Sequence, residues 1–89
     1  MDEIQKQVLA EIREEELVTM AMDLISISSP PGAEAPAGDY LAERLAELGM
    51  RVQFQEVEPG RNNVLGRLPG SKGSPTLLFS GHFDTSTTG

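Results

Sequence analysis

Residues 76–85 have the sequence Thr-Leu-Leu-Phe-Ser-Gly-His-Phe-Asp-Thr, in which an apolar run is followed by a segment that contains histidine and aspartate. Thr76 to Phe79 is a short continuous apolar run between turn residues, which is typical of a strand buried on both faces in an α/β sheet. Ligand sites in such folds lie where the strands end. We therefore expect a functional site just after Phe79, where the only histidine of the chain, His82, is found.

His82 and Asp84 are separated by one residue. In extended backbone, residues i and i+2 point to the same side, so these two side chains share a face and Phe83 takes the other. This spacing suits a metal site, because one ring nitrogen can ligate while the carboxylate accepts the other ring N–H and fixes the tautomer. His82 is the candidate metal ligand, and Asp84 is the candidate catalytic residue that orients it. The alternative is structural, with a locally satisfied histidine and a turn aspartate.

The residues before this segment predict two helical regions. Apolar residues recur every three or four positions from Asp2 to Ile27, which indicates one amphipathic helix or two helices joined at 13–16. The prolines of Ser28–Gly32 predict a loop. A further helix is predicted at 35–48, with Tyr40 in the core and Gly49 as a left-handed cap.

Two strands are predicted between the last helix and the apolar run. The apolar period changes to two in 52–57, and a second strand is predicted at 63–68. Thr76–Phe79 is the third predicted strand. The predicted fold class is thus α/β, with N-terminal helices followed by three strands.

Composition limits the classes of function. A chain of 89 residues is one small domain at most. Seven basic against fourteen acidic residues give a net charge of −7, the wrong sign for a nucleic-acid binder. The absence of cysteine excludes disulfides and thiolate zinc ligands. The acidic N-terminus and the lack of a long apolar run predict a cytoplasmic protein without a membrane partner.

Several motifs together resemble those of a known family. Residues 25–32 resemble its Ser-Pro-x-Gly loop, the helix ending at 45–50 and the strands at 52–57 and 63–67 follow in the family's order, and 77–85 resembles its first metal motif. The family is that of zinc-dependent aminoacylases, deacetylases and carboxypeptidases, including acetylornithine deacetylase, succinyl-diaminopimelate desuccinylase and glutamate carboxypeptidase. The resemblance covers almost the whole chain. It departs after Thr85, where many members continue with Val-Pro and this chain has Ser86-Thr87-Thr88-Gly89.

The resemblance implies a zinc metallopeptidase activity. According to this resemblance, His82 is a ligand in a site of two zinc ions, for which cobalt or manganese can substitute, and Asp84 orients this ligand. It implies an α/β/α catalytic domain and hydrolysis of amide bonds in N-acyl amino acids or small peptides. The bridging aspartate, the paired glutamates and the lid or dimerisation domain of a homodimeric enzyme would follow Gly89.

These expectations make residues 1–89 the N-terminal fragment of a metallohydrolase catalytic domain. The fragment is expected to be inactive alone, because catalytic zinc sites usually have three protein ligands. The competing hypothesis is a small acidic α/β domain that binds a partner and has no catalytic role.

Overall fold

A computed structural model describes residues 2–85 of the chain. The described part is a small mixed α and β domain with three helices followed by an antiparallel hairpin of two strands. The elements are α1 (Glu3–Glu11), α2 (Glu14–Ser26), α3 (Ala35–Glu47), β1 (Arg51–Glu58) and β2 (Arg61–Arg67).

The predicted N-terminal helical region is two helices, α1 and α2, that join at residues 12–13. A capping box begins α1, because Gln5 N–H donates to Asp2 Oδ1 at 2.7 Å and Asp2 N–H donates to Gln5 Oε1 at 3.0 Å. Three glutamates begin α2, where the positive end of the helix dipole favours them. Neither helix buries a residue against the rest of 2–85.

The end of α3 agrees with the prediction. Gly49 follows the helix with φ +88°, a conformation that glycine adopts at little steric cost. The amide of Gly49 donates to Ala46 O at 3.0 Å, and the amide of Met50 donates to Leu45 O at 3.1 Å. These bonds satisfy carbonyls at the helix end and turn the chain into β1.

The two strands predicted at 52–57 and 63–68 are present as β1 and β2, and the structure pairs them as an antiparallel hairpin. β1 and β2 pair with Phe54 opposite Val64, and Gly60 in the connecting turn has φ +78°. The ladder has an irregularity at Val57, between the pairs formed by Glu56 and Glu58. Bulges of this kind bend a strand and increase its twist.

The core lies between α3 and the hairpin. Ala37, Gly38 and Ala42 are the buried residues of the helix, and α3 packs on both strands. Glycine at position 66 allows the helix to approach β2, because a Cβ there would lie 3.0 Å from Leu45 Cδ1. This helix-on-hairpin unit is the packed part of the molecule.

The prediction of a third strand at Thr76–Phe79 is wrong for the described structure. Thr76–Phe79 has no regular secondary structure, and Leu77, Leu78 and Phe79 are 78%, 81% and 85% exposed. A strand requires a ladder of hydrogen bonds with a neighbour, and none of the other residues in 2–85 pairs with this segment. The sheet accordingly has two strands rather than the three expected.

The departure from the family pattern at Ser86–Gly89 lies outside the described residues. Among residues 2–85, the helices do not combine the length and the apolar character that crossing a bilayer requires.

Candidate functional site

His82 and Asp84 form a pair in the structure. The ring nitrogen Nδ1 of His82 lies 3.0 Å from Asp84 Oδ1 and 3.3 Å from the backbone carbonyl oxygen of Asp84. The two side chains therefore share one face, as their spacing predicts. The histidine side chain is 85% exposed and the aspartate side chain is 41% exposed.

The neighbours of Nδ1 indicate which nitrogen is available to a ligand. Both the carboxylate and the carbonyl oxygen of Asp84 are acceptors, so together they favour a proton on Nδ1 of His82. In the neutral ring the lone pair then lies on Nε2. Among residues 2–85 no hydrogen bond involves Nε2, and an exposed ring arranged in this way has the form that metal-ligating histidines take when a carboxylate orients them.

Phe83 anchors the pair to the core. Its ring lies beside α3, where a Cβ on Gly38 would be 3.4 Å from the ring Cζ and 3.4 Å from Val64 Cγ2. Phe83 is half-buried, whereas His82 is exposed. The alternation expected from the sequence is thus present, although the segment is not part of a strand.

The donor set fits one metal ligand and its orienting carboxylate. Zinc is usually held by at least three protein ligands, and residues 2–85 bring together no group of three histidine, cysteine, aspartate or glutamate side chains that could hold an ion. Within residues 2–85, His82 and Asp84 therefore provide fewer donors than a zinc site usually has.

A cleft of about 230 Å³ adjoins the pair. An ion pair lies on its wall, where Arg61 Nη2 donates to Glu34 Oε2 at 2.8 Å. A second carboxylate, that of Glu58, lies 3.4 Å from Arg61 Nη1. The cleft is lined by Glu34, Val57, Glu58, Arg61, Asn62, Asn63, Gly81, His82, Phe83 and Asp84.

The ion pair changes the acidity of both partners. The hydrogen bond from Arg61 lowers the pKa of Glu34, against the opposing effect of burial. The same hydrogen bond raises the pKa of Arg61. Both groups are therefore charged at neutral pH. Since residues 34 and 61 are 27 positions apart, no local sequence pattern indicates that they meet.

Ser29 is a second residue near the site that no local sequence pattern indicates. The loop at Ser28–Gly32 is confirmed, but Ser29 is only 1% exposed and is hydrogen-bonded to the segment around Asp84. Its Oγ donates to Phe83 O at 2.9 Å, and Thr85 N–H donates to Ser29 O at 2.7 Å. The Ser-Ser-Pro-Pro sequence predicts a loop, but it does not indicate where the loop packs.

A larger, mainly apolar groove of about 990 Å³ lies beside the same segment. Side chains of α2, α3 and β2 form one part of its lining, among them Leu24, Leu41 and Val64. Residues 78–85 form the other part. The His82–Asp84 segment consequently lies between a small polar cleft and a larger apolar groove.

Comparisons with known proteins find partial similarity to two enzymes. One is a Pyrococcus abyssi protein whose name describes a LysW-lysine/LysW-ornithine hydrolase, with 33% identity over 75 residues, or 84% of this chain and 20% of that protein. The other is the N-formyl-4-amino-5-aminomethyl-2-methylpyrimidine deformylase of Bacillus subtilis, with 37% identity over 86 residues, or 91% of this chain and 20% of the enzyme.

This chain thus spans about a fifth of the length of these relatives. No protein-family model matches it. No solved structure matches it either. The similarity supports a relationship with peptidase-like hydrolases.

Proposed function

We propose that residues 1–89 are the N-terminal part of the catalytic domain of a zinc-dependent amidohydrolase or exopeptidase. The observation that carries the proposal is the 3.0 Å contact between His82 Nδ1 and Asp84 Oδ1 beside an exposed ring. The names of the two relatives, a hydrolase and an N-formyl deformylase, support amide-bond hydrolysis. The proposed substrates are N-acyl amino acids or small peptides.

In this proposal His82 holds a zinc ion through Nε2, and the Asp84 carboxylate accepts a hydrogen bond from the N–H at Nδ1. The carboxylate keeps the ring in one tautomer and one orientation, and it makes the imidazole a stronger donor. When bound, zinc supplies a Lewis acid that polarises a carbonyl group and lowers the pKa of water. The adjoining cleft, with Arg61 neutralised by Glu34 and Glu58, provides a polar wall next to the ligand.

The proposal extends to the whole enzyme. The whole enzyme is proposed to bind two zinc ions, which cobalt or manganese can replace. A longer chain supplies the other ligands and the general base. The enzyme is also proposed to be a homodimer located in the cytoplasm. Residues 1–89 alone are proposed to have no hydrolase activity, because one imidazole and its carboxylate do not make a catalytic zinc site.

A second candidate function is a non-catalytic acidic domain that binds a partner protein. The exposure of Leu77, Leu78 and Phe79 favours it, because a contiguous apolar patch on a surface often marks an interaction site. In that case His82 is a surface histidine, and its substitution leaves zinc binding unchanged.

The two functions are separated by substitutions at His82 and Asp84 in the full-length protein. His82→Ala removes a metal donor, so zinc should be lost or weakly held and turnover should fall to background. Asp84→Asn keeps the shape but replaces an anionic acceptor, so most zinc should remain while activity falls by about 10- to 100-fold. The measurements are bound zinc and kcat for each purified variant.

Asp39→Asn is the matched control, because it makes the same chemical change at an exposed residue of α3. It should behave like the wild type. If His82→Ala retains wild-type zinc and turnover, the metal-site proposal is wrong and the interaction domain is favoured. If only Asp84→Asn is unchanged, the orienting role alone is wrong.

A further inference from the structure

We propose that Ser29 is a positioning residue for the His82–Asp84 pair, because it holds the backbone on both sides of Asp84. This inference rests on the proposed function and adds a residue from a different part of the chain to that site. Ser29 acts through the segment it binds and does not itself contact the substrate or the metal.

The hydrogen bonds of Ser29 fall on the two residues that flank Asp84 in the sequence. Its Oγ donates to the carbonyl oxygen of Phe83 at 2.9 Å, and its own carbonyl oxygen accepts from the amide of Thr85 at 2.7 Å. A further contact of 3.3 Å joins Ser29 Oγ to Thr85 Oγ1. These bonds fall on residues 83 and 85, so Asp84 lies between two points where the backbone is fixed.

Asp84 depends on this support because its segment is not part of a strand. Ladder hydrogen bonds would otherwise fix the backbone, but residues 80–85 form no ladder with the rest of the described chain. Phe83, packed at Gly38, supplies one anchor on the core side. Ser29 supplies the hydrogen bonds, and together they direct the Asp84 carboxylate towards His82.

The loop that carries Ser29 is suited to this task. Pro30 disfavours the helical conformation for the residue before it, so Ser29 is biased towards extended backbone with its carbonyl oxygen available. Serine is also small enough for a position that is 1% exposed. Its hydroxyl can donate to one oxygen and accept from another, which matches the two partners of Oγ.

The test is Ser29→Ala in the full-length enzyme. The substitution removes the bond to Phe83 O while the backbone bond from Thr85 can still form. Zinc affinity, measured by competition with a chromogenic chelator, should fall by about 10-fold, the lower end of the loss that follows removal of groups supporting a ligand. The value of kcat should fall as well, with a smaller change in KM.

Ser28→Ala is the matched control, since it makes the same change at the adjacent, exposed serine. It should keep wild-type zinc affinity and kcat. All measurements are made well below the melting temperature of each variant, which separates positioning from loss of folding. If Ser29→Ala fails to fold, Ser29→Cys replaces it, because a thiol is only a weak donor to Phe83 O, and a smaller loss of zinc affinity is expected.

Two outcomes overturn the inference. The first is zinc affinity and kcat for Ser29→Ala, or for its replacement, equal to those of Ser28→Ala. The second is a lower melting temperature with unchanged zinc affinity and kcat, which would make Ser29 structural only. His82→Ala, measured alongside, keeps the two proposals distinct, because wild-type zinc content in that variant contradicts the proposed function itself.

Discussion

Tyr40 is the only tyrosine of the chain, and there is no tryptophan, so its ionisation can be followed by absorbance without interference. Its hydroxyl donates to Asp23 Oδ2 at 2.8 Å and thereby joins α3 to α2. Burial raises the pKa of Tyr40 above its ordinary value of 10.0, and the hydrogen bond to Asp23 raises it further.

The titration of Tyr40 provides a prediction with a defined sign. Because the pKa is raised in the folded chain, its contribution to stability is fully present below about pH 10 and is lost as the pH rises through the folded pKa. Asp23→Asn removes the negative partner but not the burial, so its midpoint should lie between the wild-type midpoint and 10.0. Identical midpoints for the two proteins would contradict this assignment of causes.

Individual site residues differ in how far the sequence predicts them. The face shared by His82 and Asp84 follows from their i, i+2 spacing, and the structure has it, while the metal-binding role stays a prediction. Ser29 contacts residues 54 and 56 positions away, so its role depends on the path of the intervening chain. Local patterns contain no information about such contacts.

At the scale of elements, the sequence predicts what is stabilised locally. The helix α3, its Gly49 cap and the strands β1 and β2 are found within a few residues of their predicted bounds, because periodicity and turn residues determine them. The segment Thr76–Phe79 differs because an apolar composition shows only that a strand could be buried there. Whether a ladder forms depends on partners that are not adjacent in sequence.

The cap of α3 gives a prediction at this scale. Gly49 has φ +88°, so Gly49→Ala places a Cβ in a conformation that costs about 1–2 kcal/mol for an L-residue. The midpoint of thermal loss of the far-UV circular dichroism signal should therefore fall, measured at low protein concentration. Gly70→Ala is the control, because Gly70 has space for a Cβ and is not among the positive-φ glycines. Equal midpoints for the two variants would refute the requirement for glycine at the cap.

At the scale of the whole molecule, Leu77–Phe79 is a run of three adjacent apolar residues whose side chains are strongly exposed to solvent. We expect residues 1–89 to self-associate, since exposed apolar segments with strand-forming tendency recruit other chains. The net charge of −7 opposes association, so added salt should increase it by screening the repulsion. Sedimentation velocity over a range of protein and salt concentrations measures both effects.

The matched substitutions are Leu78→Lys within the segment and Leu68→Lys outside it, at residues that are 81% and 66% exposed. Each changes the net charge equally. Leu78→Lys should abolish association, and Leu68→Lys should leave most of it. A wild-type chain that remains monomeric throughout, or two variants with equal effects, would show that Leu77–Phe79 does not drive association.

The link from Ser29 to Phe83 spans 54 residues and has a consequence for the order of events during synthesis. The contacts of α3 with the hairpin involve only residues up to Arg67, so that unit can fold while the following segment is still being translated. Joining Ser29 to Phe83 closes a much longer loop, at a greater entropic cost. We therefore expect the geometry of His82 and Asp84 to form after the helix-on-hairpin unit has packed.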